Sequence, residues 1–257
     1  MKQFICLLLL GLTGFVAASE RTVEKNFNVN ADATLSIDNH KGRIIINTHA
    51  ANEINITARI YMGSTDATIS ESDTARLLDA LEITFKASPG SVVVSVDHEK
   101  MMPTLDQIFG KNRTLPSVDF DVLVPLDASL KVTSHKAAIE IEAPSGTINI
   151  LSHKGRGSIS GIANTLALIS HKGTFTLGFD QVANTSIETH KGHITLNMPA
   201  GDYQVNGHTH KGSINIKGRD AIVEHEKRDT TVELTEGAGT YMVSLETHKG
   251  NISLNIK

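Results

Sequence analysis

The tripeptide His-Lys-Gly returns along almost the whole chain, and no other feature constrains the fold as strongly. Six copies end in glycine and one ends in alanine: they begin at His40, His153, His171, His190, His210 and His248, with His135-Lys136-Ala137 as the variant. From His135 to His210 the intervals are 18, 18, 19 and 20 residues, and the interval to His248 is 38. A period near 20 residues is typical of solenoids, in which each unit buries its apolar face only by stacking on its neighbours.

Apolar residues keep fixed positions around the tripeptides. Ile, Leu or Val stands three and five residues before most histidines and four and six residues after them, as at Leu35, Ile37, Ile44 and Ile46. This alternation predicts a strand, a turn and a second strand in each unit, called a rung below. By the same parity the small polar residue before each histidine points inward and the histidine points outward, while the glycine is expected at positive φ. The 38-residue interval is expected to hold two rungs, with His225-Glu226-Lys227 as a degenerate tripeptide.

The first residues have the pattern of a signal peptide. Met1-Lys2 is a short positive region, Phe4 to Val16 is largely apolar, and small residues follow up to Ser19. A membrane anchor is the alternative, but the apolar run is shorter than the ~20 residues that span a bilayer. We therefore expect residues 1–19 to be removed, with the single cysteine, Cys6, and the protein to be exported to the periplasm or the cell surface.

Residues 20–117 predict a β-rich portion with one short helix. A serine or aspartate of Ser70-Glu71-Ser72-Asp73 can cap a helix that has early acids and leucines on one face up to Leu81. Residues 100–116 show no clear period and are expected to form a long surface loop, or else an apolar lid or partner-binding loop. Residues 118–257 carry the rungs of ~18–20 residues. The predicted fold class is all-β, a parallel β-solenoid preceded by this portion.

Three stretches resemble the bacterial family of putative adhesins, a secreted repeat domain of unknown function. The first is the recurring unit, in which a small polar residue precedes Gly by three positions, and Ile and then Leu or Ile follow the Gly. The others are the run from Val118 to Val132 and the closing unit from Val243 to Leu254. The resemblance implies a right-handed β-solenoid and an exported location. It implies no catalytic residues.

Outward histidines in register would form a row along one edge of the solenoid. The clearest candidate metal site is His208-x-His210 beside His190 and His193 on the preceding rung, because residues i and i+2 of a strand share a face and imidazole suits Zn or Cu. A lysine follows each repeated histidine, and its charge opposes a bound cation. The alternative is therefore that the histidines only stack and hydrogen-bond as part of the turn.

The lysines of the tripeptides would form a positive strip on a chain whose net charge is −4. The candidate residues are Lys136, Lys154, Lys172, Lys191, Lys211 and Lys249. Such a strip could bind an anionic polymer such as lipopolysaccharide, an acidic glycan or DNA, although the acidic balance gives no global reason to expect nucleic acid. The alternative is a solvated corner at which lysine prevents unwanted association.

No catalytic activity is expected. The acids are scattered, no Ser-His-Asp set has the context of a nucleophile elbow, and aromatic residues make up only 4% of the chain. The sequence thus predicts an exported, adhesin-like protein of the cell envelope with a structural or interaction role towards an envelope or surface component, such as an acidic glycan or another protein. The alternative is a binding module that uses the histidines and lysines for Zn, Cu or an anionic polymer.

Overall fold

The computed structural model describes residues 20–63, 69–110 and 114–257. The predicted signal peptide at residues 1–19, with Cys6, lies outside the described residues. No helix of the described part of the chain is long and apolar enough to cross a membrane.

Strands make up most of the described chain. The first six strands are β1 (Glu20–Asn28), β2 (Thr34–His49), β3 (Glu53–Tyr61), β4 (Glu82–Ser88), β5 (Ser91–Asp97) and β6 (Ser117–Pro125). The next five are β7 (Ser129–Glu142), β8 (Ile148–Ile162), β9 (Leu166–Phe179), β10 (Thr185–Met198) and β11 (Tyr203–Lys211). The last five are β12 (Ile214–Lys217), β13 (Ile222–Glu226), β14 (Asp229–Glu236), β15 (Tyr241–Lys249) and β16 (Ile252–Ile256). Two α-helices, α1 (Glu71–Ala80) and α2 (Met102–Phe109), lie between β3 and β6.

The repeat region forms a parallel β-solenoid, which confirms the predicted fold class. Strands β2, β7, β8, β9 and β10 stack in that order, each running through its own tripeptide. Their pairing is parallel and in register, so that Lys136 lies opposite Lys154 and Lys154 opposite Lys172. In the last two rungs the strand breaks just after the tripeptide lysine, which gives the pairs β11–β12 and β15–β16. Strand β2 belongs to the stack, since it pairs with β7 from Thr34 to Ile46.

The order of the last rungs differs from the order of the chain. Strand β15 pairs on one side with β10 and on the other with β11, so the last rung of the chain is inserted between the two before it. The expectation of an extra rung at His225-Glu226-Lys227 was wrong. Strands β13 and β14 form a hairpin that pairs antiparallel with β11, with Lys227 at φ 54° in its turn. A loop of two residues can join only antiparallel strands, whereas a further parallel rung would need a long crossover connection.

The N-terminal portion covers the other end of the stack. Strands β5 and β6 both pair parallel with β2, and β3 and β1 continue the sheet with antiparallel pairing. The predicted helix is present as α1, which begins at Glu71, and the Ser70 side chain caps it by accepting a hydrogen bond from the Asp73 amide at 3.1 Å. The prediction of one helix and a long loop at 100–116 was wrong, because a second helix, α2, forms within that segment and follows a 3₁₀ turn at Glu99–Met101. Met101 and Leu105, four residues apart on one helical face, are fully buried.

The interior confirms the predicted parity around the tripeptides. Rows of Ile, Leu and Val fill the core, and the residue before each histidine is also buried. These buried polar residues are Asn39, Ser134, Ser152, Ser170, Thr189, Thr209 and Thr247, each at most 4% exposed. The repeated histidines are exposed or half-buried. The sheet face that carries them is therefore the outer surface of the solenoid.

The glycines are required mainly by a close approach between rungs. Positive φ in the left-handed region occurs at Gly42, Gly192 and Gly250, but not at the other three tripeptide glycines, which corrects the expectation for each copy. A Cβ added at Gly192 would overlap the carbonyl oxygen of Gly173, and one at Gly250 would overlap that of Gly192. Each of these glycines thus lets the backbone of a neighbouring rung pack against its Cα. Ala137 keeps a backbone outside the positive-φ region.

Candidate functional site

Seven imidazole rings stack in a continuous row on the outer face, and this row is called the imidazole ladder. Its members, in order along the solenoid, are His40, His135, His153, His171, His190, His248 and His210. Neighbouring ring centroids lie 4.4–5.0 Å apart and the ring planes differ by 5–16°. The spacing follows from the ~4.8 Å separation of hydrogen-bonded strands, because each rung supplies one histidine at the same register.

Different contacts end the imidazole ladder on its two sides. At the first rung the ring of His98, just after β5, meets His40 edge-on at 5.4 Å and 66°. At the other end of the ladder, in β11, His210 Nδ1 and His208 Nε2 lie 2.9 and 3.2 Å from the same oxygen, Oδ1 of Asp229. Sequence reasoning missed both end residues. His98 lies outside the repeat and Asp229 lies in the hairpin, so no periodic signal marks either of them.

A second row, the lysine ladder, follows the histidines by one residue. Its members are Lys41, Lys136, Lys154, Lys172, Lys191, Lys249 and Lys211, each opposite the next in the strand register. Lys41 Nζ donates a hydrogen bond to the Leu115 carbonyl at 3.4 Å. None of the seven forms an ion pair with another described residue. Five are exposed, and Lys41 and Lys154 are partly buried.

A groove of about 570 Å³ runs along the other side of the imidazole ladder, from His40 to His190. Its floor carries the residues two positions before each histidine. In the middle these are Leu151 and Ile169, each 52% exposed, and we call this pair the apolar strip. Asp38 and Glu188 lie at the two ends of the floor. The rows of apolar strip, imidazoles and lysines therefore run side by side along the solenoid axis.

The family assigned to this architecture is Toastrack DUF4097, whose match spans residues 124–255, just over half of the chain. The chain belongs to the Toastrack family. That match covers the rungs from β7 to β16 and most of the imidazole ladder. The family description gives no enzymatic activity. No curated protein matches the sequence.

Solved structures similar to this Toastrack protein have low sequence identity. A putative cell adhesion protein from Clostridium sporogenes shares 11% identity, with 92% of this chain and all of that chain covered and a TM-score of 0.44. A putative adhesin from Bacteroides fragilis shares 11% identity over 91% of this chain and 97% of the other, with a TM-score of 0.33. A putative lipid binding protein from Parabacteroides distasonis shares 9% identity over 92% and 96%, with a TM-score of 0.24.

Of the four histidines predicted as a metal site in this Toastrack chain, only His208 and His210 are brought together, at Oδ1 of Asp229. The rung of His248 lies between His190 and His210, because β15 is inserted between their strands. His193 lies beyond the corner, where its Nδ1 accepts a hydrogen bond from the Asn251 amide at 3.3 Å. Parallel stacked rings also keep their nitrogen lone pairs parallel instead of aiming them at one point. Within the described residues, no group of three or more His, Cys, Asp or Glu side chains is placed to hold a metal ion.

The surroundings of the imidazole ladder disfavour its protonated form. Packing against neighbouring rungs removes water from each ring, and this desolvation is the largest cause of a lowered pKa. The positive charges of neighbouring histidines and lysines lower the pKa of the inner rings further. The pKa is lowered for His40, His98, His135, His153, His171, His190 and His248. The neutral form of these rings is therefore favoured, and the lysine ladder carries the positive charge of this edge.

Proposed function

We propose that this Toastrack protein is an exported, adhesin-like binding scaffold of the cell envelope or surface, without catalytic activity, and that its lysine ladder binds a linear anionic polymer. The observation that carries the proposal is the register of the seven lysines, which places one ammonium group on every rung with no carboxylate partner among the described residues. The pattern of the first 19 residues supports export.

Repulsion between the charges of the lysine ladder favours a bound anion. Like charges directly opposite each other on neighbouring strands destabilise a sheet. Here that arrangement recurs at every step from Lys41 to Lys211, although acidic residues outnumber basic ones in the chain, 28 to 24. An anionic polymer lying along the row would neutralise the repulsion, and its affinity would fall as salt screens the charges. A single point anion would relieve only one or two rungs, so the geometry favours an extended ligand.

Titration with inorganic polyphosphate tests this proposal. We expect the protein without residues 1–19 to bind polyphosphate at about 0.05 M salt and to release it at about 0.5 M salt, where charges are screened within a few ångströms. The variant Lys154→Gln/Lys172→Gln/Lys191→Gln should weaken this binding on the order of tenfold or more, because three consecutive contacts are lost.

The matched control removes the same number of positive charges elsewhere. Lys25, Lys86 and Lys217 are exposed and lie outside the ladder, so Lys25→Gln/Lys86→Gln/Lys217→Gln changes the net charge equally. Its affinity should stay within about twofold of the unmodified protein if contacts and not net charge decide binding. Equal losses in both triple variants would contradict a role for the ladder, and so would binding that does not respond to salt.

A further inference from the structure

The groove beside the imidazole ladder indicates which kind of anionic polymer the protein binds. We infer that the ligand is a linear chain of uronic acid sugars, lying along the solenoid axis with its sugar faces on the apolar strip and its carboxylates towards the imidazoles and lysines. The inference rests on the proposed function and deepens it, since it names the chemistry of the anionic polymer.

The first argument is that the edge is amphipathic along its length. Leu151 and Ile169 project from the outer face at consecutive rungs, where half of each side chain meets water. Outward positions of a solenoid are free to be polar, as Thr133 is on the rung before. Inorganic polyphosphate offers no apolar surface to such a strip. The C–H face of a sugar ring does, and sugar rings in a linear chain repeat that face at regular steps.

The second argument is spacing. Rungs repeat every ~4.8 Å, and each presents one lysine and one imidazole. Each sugar of a linear polyuronate carries one carboxylate, so a chain that lies along the solenoid axis offers one charge per sugar to the successive rungs. The phosphates of one DNA strand follow each other at about 3.4 Å along the helix axis, and they turn away from a straight row.

The third argument concerns polar groups that face the groove. The imidazole edges line it from His40 to His190, and neutral imidazole has one N–H donor for a carboxylate or a hydroxyl. Asp38 and Glu188 at the ends of the floor repel carboxylates but accept hydrogen bonds from sugar hydroxyls. The central rungs of His135, His153 and His171 carry no acid on the floor, so the carboxylates would lie there.

Calorimetric titration of the protein without residues 1–19 compares three probes. They are an oligogalacturonate about as long as the ladder, its fully methyl-esterified form, and inorganic polyphosphate of equal charge. We expect the oligogalacturonate to bind several-fold more tightly than polyphosphate, and esterification to abolish binding. The variant Leu151→Thr/Ile169→Thr should weaken oligogalacturonate on the order of fivefold through lost apolar burial and leave polyphosphate unchanged.

Leu123→Thr/Leu126→Thr is the matched control, because these leucines are 38% and 53% exposed and lie outside the groove. It should bind all probes as the unmodified protein does. If polyphosphate binds and oligogalacturonate is no better, or the strip variant loses no affinity, the inference is overturned and the proposed function stands. If neither polyanion binds, both are overturned.

Discussion

Gly192→Ala tests whether the corner of each rung is fixed by contact between backbones. Gly192 has φ 153°, and an added Cβ would overlap the carbonyl oxygen of Gly173 on the preceding rung. Backbone strain of this kind costs about 1–3 kcal/mol. Forcing a methyl group into a packed contact costs a further ~1–3 kcal/mol. We therefore expect the free energy of unfolding to fall by about 2–5 kcal/mol, a large part of the ~5–15 kcal/mol typical of a folded protein.

Two further glycines give a graded comparison. Gly155 has an ordinary backbone, but its Cβ would overlap the Ala137 carbonyl, so Gly155→Ala should show only the packing part, about 1–3 kcal/mol. A Cβ at Gly90 would meet nothing within 4 Å, and Gly90→Ala should be neutral or slightly stabilising.

Urea unfolding followed by circular dichroism gives the three free energies. Thermal melting should show the same order, with Gly192→Ala lower by roughly 5–15 °C for a chain of this size. Equal stability of Gly192→Ala and Gly90→Ala would refute the explanation, because the two sites differ in both the backbone angle and the space for a methyl group.

The remaining predictions concern the ladders and the buried polar groups. The folded pKa values of His135, His153 and His171 lie below the ordinary histidine value of about 6.5, so the unfolded chain binds more protons as the pH falls through that value. Stability is then retained above about pH 6.5 and lost below it, and the melting temperature should drop between about pH 7.5 and pH 5; a constant value would contradict the stacking argument. Asp229 and Glu236 have lowered pKa values, the latter about 2, so they affect stability only in more acid solution. Tyr203→Phe removes the hydrogen bond that the buried hydroxyl donates to Glu236 at 2.7 Å and should lower the free energy of unfolding in urea by about 1–2 kcal/mol. Thr209→Val loses the hydrogen bond to the Gly250 carbonyl at 3.0 Å, whereas the Ser170 hydroxyl has no hydrogen-bond partner among the described residues. Thr209→Val should therefore be less stable in urea than Ser170→Ala by about 1 kcal/mol. The reverse order would show that the buried hydroxyls have other hydrogen-bond partners.

The candidate site was only partly predictable. The imidazole and lysine ladders follow from one tripeptide per rung and the parity of a strand, so their members could be named from the sequence. Leu151 and Ile169 stand in the sequence, but only the structure shows that they point outward on neighbouring rungs beside the histidines and form the apolar strip. His98 and Asp229 carry no periodic signal, and their places at the ends of the imidazole ladder depend on β5 and the hairpin.

The sequence by itself determined the repeating unit: its length, its buried rows of Ile, Leu and small polar residues, and its outward histidines. Those features are local, since strand geometry alternates side chains whatever the neighbours are. Only the tertiary structure decided the order in which the rungs stack. Strands β10, β11 and β15 each carry a tripeptide at the same register, so the repeat pattern does not specify which of them pair. The hairpin at Ile222–Glu236 pairs with one edge of β11 and leaves the other edge open. The last rung takes that place beside β10, which moves His248 between His190 and His210 and separates the histidines that their spacing had grouped.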